Sequence, residues 1–295
     1  MTSISYNLSG KVDSSLVEVL QRINQVATAL GIRFFVVGAM ARIIVLEYCH
    51  GIRPARGTRD LDIAVEVDGW DEFHRLSEEL VATANFAATR DPQAFRAGSY
   101  RVDIVPFGGI ADAQGKISWP SEHAVFMSTM GFEEAHECAM TLRLRDQPVL
   151  DIKVATIPGL ALMKVISWHD CYPERPKDAE DLLLLMNHYA EAGNEERLYG
   201  KEDELLQAEG FDLVIAGIRL LGRDMAWIAK DPTGGVVASS ILKDEIQEEQ
   251  RYRLVQDMIK GARIFDEFSE TLEKLKKLAE GFNEGFRKKN LHSSV

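Results

Sequence analysis

The residues best suited to chemistry in this sequence are two aspartates, Asp60 and Asp62, on one short apolar stretch. Polar and apolar residues alternate over 58–65, and this alternation predicts a β-strand with both carboxylates on one face. Carboxylates that converge on one point repel each other and need compensation. Hard divalent cations such as Mg²⁺ prefer oxygen ligands of this kind. The pair is therefore either a metal site or a solvated strand edge. The opposite face, directed to a core, would hold Leu61, Ile63 and Val65.

A third carboxylate lies on a later predicted strand, residues 100–106. Asp103 alternates there with Val102 and Ile104, so it points away from the core as Asp60 and Asp62 do. Phosphoryl or nucleotidyl transfer needs charge neutralised on the phosphates and the attacking oxygen held in line. Two metal ions about 3.5–4 Å apart can do both. Asp60 and Asp62 would bridge the metals, with Asp103 a third ligand near the attacking hydroxyl.

A glycine turn precedes these strands. Residues 33–37 predict a central strand, and Gly38 then leads into a helix that runs to about Tyr48. Glycine lets another group approach the backbone closely, and the free N–H groups of a helix N-terminus suit a phosphate. The alternative is a simple left-handed turn. A basic loop follows, which either binds nucleic acid or triphosphate or is merely solvated; its arginines are Arg53, Arg56 and Arg59.

Composition limits the class of protein. The 295 residues include 46 acidic and 34 basic side chains, a net charge of −12. This charge argues against a general nucleic-acid coat protein but permits a local basic groove. Three cysteines without C-x-x-C spacing argue against a disulfide framework or a zinc site. No secretory signal pattern opens the sequence and no apolar run approaches 18 residues, so we expect a cytoplasmic protein without a membrane span.

The hydrophobic pattern places these motifs on an α/β half to about residue 155 and an all-helical half after it. Residues 1–12 predict a loose lead-in, 107–121 a Gly-rich loop and 192–204 a charged surface loop. Predicted helices in the first half cover roughly 14–30, 38–48 and 70–83. Further predicted strands cover roughly 94–97, 134–145 and 148–154. In the second half, predicted helices begin near 157 and 175 and then cover roughly 205–209, 211–230, 234–247, 250–261 and 263–288.

Together these motifs resemble the nucleotidyltransferase fold of the DNA polymerase β superfamily. Its pattern is an apolar residue and a glycine pair or Gly-Ser, then Asp-x-Asp, then a third acidic residue on a later strand. More closely, the chain resembles AbiEii-type nucleotidyltransferases, toxins of type IV toxin–antitoxin systems, which add a helical motif of Lys, Lys-Asp and Asp. The resemblance covers about residues 30–190. The matching residues are Gly38, Asp60, Asp62, Asp103, Lys164, Lys177, Asp178 and Asp181.

The resemblance implies an α+β fold, in which a nucleotidyltransferase domain with a mixed sheet (1–155) precedes a helical domain (156–295). It implies catalytic roles for Asp60, Asp62, Asp103 and Lys164, with the three aspartates binding two Mg²⁺ ions. The implied nucleotide-binding residues are Gly38, Ala39, Arg42, Arg59, Lys177, Asp178 and Asp181. Without the resemblance, Lys164 would read as a surface lysine whose stem covers an apolar face, and Asp178 as a residue that favours a first helical turn.

By this resemblance the chain transfers an NMP from an NTP to an acceptor hydroxyl of RNA, such as a tRNA 3′ end, as a toxin or phage-defence protein. An antitoxin encoded nearby is an implied partner. An antibiotic or a protein hydroxyl is a rival acceptor, and a metal-dependent phosphohydrolase is a weaker alternative. Ala39 stands where the family commonly has Ser or Gly, and Gly38 is unusually far from Asp60. A non-catalytic nucleotide- or partner-binding module on the same fold is therefore the main alternative.

Overall fold

A computed structural model describes residues 4–53, 57–120, 126–231, 233–260 and 265–292. Arg56, named in the sequence predictions, lies outside these ranges, as do residues 263 and 264 at the start of the last predicted helix. The chain divides into two compact units, Met1–Thr156 and Ile157–Val295. The first unit is a mixed sheet with helices and the second is helical, as the α+β prediction requires.

The strands of the first unit, within the described residues, are β1 (Tyr6–Asn7), β2 (Arg33–Val37), β3 (Asp60–Glu66), β4 (Ala87–Ala88), β5 (Ala94–Ala97), β6 (Tyr100–Phe107), β7 (Lys116–Ser118), β8 (Phe126–Ser128), β9 (Met140–Asp146) and β10 (Val149–Val154). Eight of them form a mixed sheet in the order β1-β9-β10-β2-β3-β6-β5-β4. β2 and β3 are antiparallel, whereas β3 and β6 are parallel. A separate two-stranded sheet pairs β7 with β8.

Four helices belong to the first unit and eight to the second, within the described ranges. The helices are α1 (Ser14–Leu30), α2 (Gly38–Ile43), α3 (Trp70–Ala82), α4 (Phe132–Glu137), α5 (Ile157–Asp170), α6 (Pro176–His188), α7 (Glu195–Leu198), α8 (Asp203–Ala208), α9 (Leu213–Ile228), α10 (Thr233–Val236), α11 (Arg253–Met258) and α12 (Phe265–His292). Two π-helical segments, Ile44–Cys49 and Val237–Leu242, continue α2 and α10.

The alternation in β3 is confirmed. Leu61, Ile63 and Val65 are fully buried, whereas Asp60 is exposed and Asp62 is half-buried. Apolar side chains on one face of the strand exclude water, and the carboxylates stay on the other face because burying an unpaired charge is costly. The neighbouring strands β2 and β6 supply further buried residues, among them Phe35, Val102 and Ile104.

Short elements account for most differences from the sequence predictions. Residues 134–137, predicted as strand, belong to helix α4, and β9 begins only at Met140. The helix is favoured because it buries His136 against the rings of Phe35 and Phe107. The lead-in contains β1 and the Gly-rich loop contains β7, two- and three-residue strands whose pairing depends on distant partners. The predicted helices near 234–247 and 250–261 are shorter and interrupted, and α7 lies in the predicted 192–204 loop.

In the second unit, α9 and α12 run side by side at very close range. A Cβ added to Gly281 would lie 1.9 Å from the carbonyl oxygen of Arg219, and one added to Gly285 would lie 2.7 Å from that of Arg223. On the opposite helix, a Cβ at Gly222 would lie 2.3 Å from the carbonyl oxygen of Leu278. Glycine is therefore required on both helices, because any side chain would push the backbones apart.

Candidate active site

Gly38 and Asp62 lie close together in the candidate site. Val37 ends β2 and pairs directly with Asp62 on the antiparallel neighbour β3. Gly38 follows in a left-handed conformation, with φ +66°. A Cβ at Gly38 would lie 2.2 Å from Asp62 Oδ2 and 2.8 Å from Asp62 Cγ. The glycine thus supplies both the turn and the space in which the Asp62 carboxylate lies against the backbone.

Register brings the predicted carboxylates together. β3 and β6 are parallel neighbours, with Asp60 opposite Arg101 and Asp62 opposite Asp103. Residues paired in register point to the same face of a sheet, and neighbouring strands lie about 4.8 Å apart. The four side chains therefore form a block of three carboxylates and one guanidinium. Asp62 and Asp103 are half-buried, and Asp60 is exposed.

Arg101 is the residue of this block that the sequence predictions missed. Its Nε lies 3.2 Å from Asp103 Oδ1 and 3.0 Å from Oδ2, and its Nη2 donates to Asp91 Oδ2 at 3.1 Å. These hydrogen bonds, first that to Asp103 and then that to Asp91, raise the pKa of the Arg101 guanidinium above its ordinary value. Strand alternation could have found it, because Arg101 and Asp103 are two residues apart and share a face.

The donor chemistry of this block fits a hard divalent cation, since all three predicted ligands offer carboxylate oxygens. Asp62 and Asp103 are register partners, so one ion can reach both side chains. The side chains are not arranged as a metal site, however. Within the described residues, no three His, Cys, Asp or Glu side chains are grouped so as to hold a metal ion. In this structure Asp103 binds Arg101 instead.

The predicted phosphate-binding residues differ in exposure. Gly38 and Ala39 are half-buried at the start of α2, and Arg59 is exposed just before β3. Arg42 is only 4% exposed, so its side chain does not lie on the surface at this turn. The Nε of the exposed Arg53 lies 3.9 Å from the Oε1 of Glu47. Among the described residues of this region, Arg53 and Arg59 therefore present exposed cationic side chains, whereas Arg42 does not.

In the second unit, Lys164 on α5 is held between two aspartates of α6. Its Nζ lies 2.6 Å from Asp178 Oδ1 and 2.9 Å from Asp181 Oδ2. Both aspartates are buried, at 6% and 4% exposure, and the Lys164 side chain itself is only 14% exposed, so it is not a surface lysine. Burial alone would lower the pKa of Lys164, but the two carboxylates outweigh it and the pKa is raised. Lys164 is thus held as a cation.

Two polar neighbours that the sequence predictions omitted complete this cluster. Ser167 donates to Asp178 Oδ2 at 2.9 Å, and Arg175 donates to the Ser167 hydroxyl at 3.1 Å. Ser167 lies three residues after Lys164 on α5, a spacing that places both on one helix face and could have indicated the contact. Lys177, predicted to bind nucleotide, is exposed beside the cluster.

A mixed sheet that presents acidic residues beside a glycine turn, followed by a helical unit, is the architecture of a nucleotidyltransferase. The chain belongs to the AbiEii nucleotidyl transferase toxin family of type IV toxin–antitoxin systems, whose family model matches residues 19–274. No curated protein matches the chain. No helix in the described part of the chain has the length and apolar character needed to cross a membrane.

Three solved structures illustrate the likeness. The antigenic nucleotidyltransferase-like protein from Paracoccidioides brasiliensis is 15% identical, with a TM-score of 0.39, over 69% of this chain and 94% of that one. ANT(2″)-Ia in complex with adenylyl-2″-tobramycin is 14% identical, with a TM-score of 0.36, over 66% and 97%. A CCA-adding enzyme with ATP is 14% identical, with a TM-score of 0.34, over 92% and 67%. Scores this low assign neither a substrate nor an acceptor.

Proposed function

We propose that the chain is a Mg²⁺-dependent nucleotidyltransferase that moves an NMP from an NTP to a hydroxyl of RNA, such as a tRNA 3′ end. The observation that carries the proposal is the Asp62 carboxylate, which lies against Gly38 and in register with Asp103. Nucleotidyl transfer needs a carboxylate cluster next to a phosphate-accepting turn, and these residues supply both elements. Membership of the AbiEii family supports the reaction class.

In this proposal, Asp60, Asp62 and Asp103 hold the metal. Two Mg²⁺ ions, when bound, neutralise charge on the phosphates and lower the pKa of the attacking hydroxyl. Asp103 would accept the proton of the acceptor hydroxyl as its oxygen attacks the α-phosphorus. Pyrophosphate leaves from the opposite side. Gly38 and the N–H groups that follow it, Ala39 included, bind the triphosphate through the backbone.

The helical unit contributes a second set of charges. Lys164 stays protonated between Asp178 and Asp181, and by the family resemblance its remaining N–H donor would approach the triphosphate. By the same resemblance, the exposed Lys177 of this unit would add a cationic contact to the nucleotide or the acceptor, as would the exposed Arg59 of the first unit. The roles of these residues towards the nucleotide rest on the family resemblance.

Membership of the family supports a biological setting for this activity. We propose that the chain acts in the cytoplasm as the toxin of a type IV toxin–antitoxin pair, with an antitoxin encoded nearby. Because the net charge is −12, contact with RNA must depend on local arginines rather than on the overall field. A small DNA-binding protein encoded in the adjacent open reading frame would support this setting.

The test is transfer of labelled nucleotide in Mg²⁺, with cellular RNA as the acceptor and each of the four NTPs in turn. We expect labelled RNA with the wild-type chain and a loss of at least about a hundredfold with Asp60→Asn or Asp62→Asn. Asp71→Asn is the matched control, because Asp71 is an exposed aspartate on α3 of the same unit. Transfer that survives both site substitutions would contradict the mechanism. Parallel reactions with an aminoglycoside and with a protein acceptor test the rival acceptors.

A second candidate is a nucleotide-binding module without turnover. The observations that favour it are Ala39 in place of the usual Ser or Gly, and the buried Arg42, which leaves that turn without a side-chain donor from either residue. Calorimetry with a non-hydrolysable NTP in Mg²⁺ distinguishes the two. Binding of the analogue, together with no product from any acceptor class, would favour the module.

A further inference from the structure

Arg101 is bound to one of the carboxylates that a metal ion would need, that of Asp103. It lies opposite Asp60 in the β3–β6 register, and Asp103 lies two residues further along the same strand and face. Both carboxylate oxygens of Asp103 lie within hydrogen-bonding distance of the Arg101 Nε. Carboxylate lone pairs that accept from a guanidinium compete with a cation for the same oxygens.

Arg101 also has a second acceptor that is fixed independently. Its Nη2 donates to Asp91, which lies in the turn between β4 and β5. That turn is held by the Thr89 hydroxyl, which lies 3.2 Å from both the N–H and the carbonyl oxygen of Asp91, and by the Ala94 N–H, which donates to the Asp91 carbonyl at 3.0 Å. Arg101 can therefore give up Asp103 and keep a charged partner.

We propose that Arg101 is a built-in counter-ion of the acidic site, which holds Asp103 until a divalent cation displaces it and which moves towards Asp91 when the cation binds. This inference rests on the proposed function, because it assigns the metal to the same carboxylates. Arg101 is a positioning residue that sets the metal concentration at which the site fills. It acts through Asp103.

Two substitutions are expected to change metal affinity in opposite directions. Arg101→Gln removes the competitor, so divalent cations should bind about tenfold more tightly. A change of this size is what a neighbouring charge typically produces in the proton affinity of a carboxylate. Asp91→Asn removes the acceptor that Arg101 retains, so displacement becomes harder and metal binding should weaken. In the Arg101→Gln background, Asp91→Asn should have a much smaller effect, because the two residues would act as a coupled pair.

The matched control is Arg96→Gln. Arg96 lies on β5 directly opposite Arg101, on the same face and one strand further from the carboxylates, and it is exposed. Arg96→Gln removes the same charge at a greater distance from the carboxylates, where solvent screening should limit the change in metal affinity to less than about threefold. Arg101→Lys should stay close to wild type, because it keeps the charge beside Asp103.

The experiment is titration of each full-length variant with Mn²⁺, followed by the electron paramagnetic resonance signal of free Mn²⁺, and with Mg²⁺ by calorimetry, without nucleotide. Tighter binding in Arg101→Gln but not in Arg96→Gln supports the inference, and a damaged fold could not produce it. Equal affinity in the wild type, Arg101→Gln and Arg96→Gln would overturn it. If Asp62→Asn abolishes binding while Arg101→Gln leaves it unchanged, the inference fails and the metal site of the proposed function stands. No binding in any variant would overturn both.

Discussion

Gly38 and Asp62 form one structural unit, because the carboxylate of Asp62 occupies the space that a side chain at position 38 would fill. The two residues come from neighbouring strands, at the point where β2 ends opposite Asp62 of β3. The same glycine that permits the turn therefore also fixes where the second aspartate of the pair can lie. A change at either residue is expected to affect the other.

Gly38→Ala should abolish transfer as well as destabilise the first unit. The new Cβ would displace Asp62, and a misplacement of about 1 Å can cost about a hundredfold in rate. Gly31→Ala is the control, because Gly31 has φ +74° but nothing within 4 Å of an added Cβ. Backbone strain alone should then cost Gly31→Ala about 1 kcal/mol, and overpacking should add about 1–3 kcal/mol at Gly38. The measurements are urea denaturation and labelled-nucleotide transfer. Equal losses in both variants would show that Asp62 is not involved.

The Lys164 cluster predicts a change in pH dependence when its carboxylates are removed. The raised pKa of Lys164 gives stability that is present below the ordinary lysine pKa and is lost only as pH rises through the folded-state value. In Asp178→Asn/Asp181→Asn, burial is unopposed and the lysine pKa should fall below its ordinary value. The double variant should therefore be destabilised at neutral pH and gain stability as pH rises from about 7 to about 10.

Urea unfolding midpoints at several pH values measure this effect. The control is the triple variant that adds Lys164→Met, because a site without charges has no proton to lose and should show no such gain. A double variant with the same pH profile as the wild type would contradict the prediction.

His136 predicts acid sensitivity of the first unit. Burial, followed by the charges of Lys153 and Arg33, lowers the pKa of His136 to about 4. The charge of Glu137 works in the opposite direction but does not prevail, and the Glu66 carboxylate, 3.4 Å from the His136 Nδ1, is partly exposed and screened by solvent. The unfolded chain binds a proton near pH 6.5, so stability should fall between about pH 6.5 and about pH 4.

We expect the His136 contribution to be about 1–2 kcal/mol, after allowance for screening around the half-exposed Glu66. The loss of stability between pH 7 and pH 5 should be smaller in His136→Gln than in the wild type, whatever the stability of the variant at neutral pH. His74→Gln is the control, since His74 is an exposed histidine on α3 of the same unit. The measurement is the change in urea midpoint between pH 7 and pH 5, and equal slopes in all three chains would refute the prediction.

Gly281→Ala should destabilise the helical unit, contrary to helix propensity. Alanine in an exposed helix position gains about 1 kcal/mol over glycine. Here the added Cβ would lie 1.9 Å from the carbonyl oxygen of Arg219, and the helices must separate. We expect a net loss of about 1–3 kcal/mol in thermal or urea unfolding. Asn283→Ala, at an exposed position of α12, should be nearly neutral. A more stable Gly281→Ala variant would show that the close approach of α9 and α12 is wrong.

Much of the fold follows from local pattern. The period of two in residues 60–65 places the aspartates on one face, and the helical spacing of apolar residues gives α1 its observed bounds, Ser14–Leu30. These predictions succeed because each depends on neighbouring residues only. The strand predicted over 134–137 is wrong, because the contacts of His136 with Phe35 and Phe107 favour a helix there.

The sequence by itself determined the type and the face of the site residues. It could not determine their partners. Three relationships depend on strands distant in the chain and on side-chain conformation. They are the register of Asp62 with Asp103, the close fit of Gly38 to Asp62, and the ion pair of Arg101 with Asp103. Lys164 shows the same difference between sequence and structure. Helical spacing alone predicted a surface lysine, whereas the packing of α5 on α6 places it between two carboxylates. Local alternation is a property of adjacent residues, whereas register and charge pairing are decided by the packing of the whole unit.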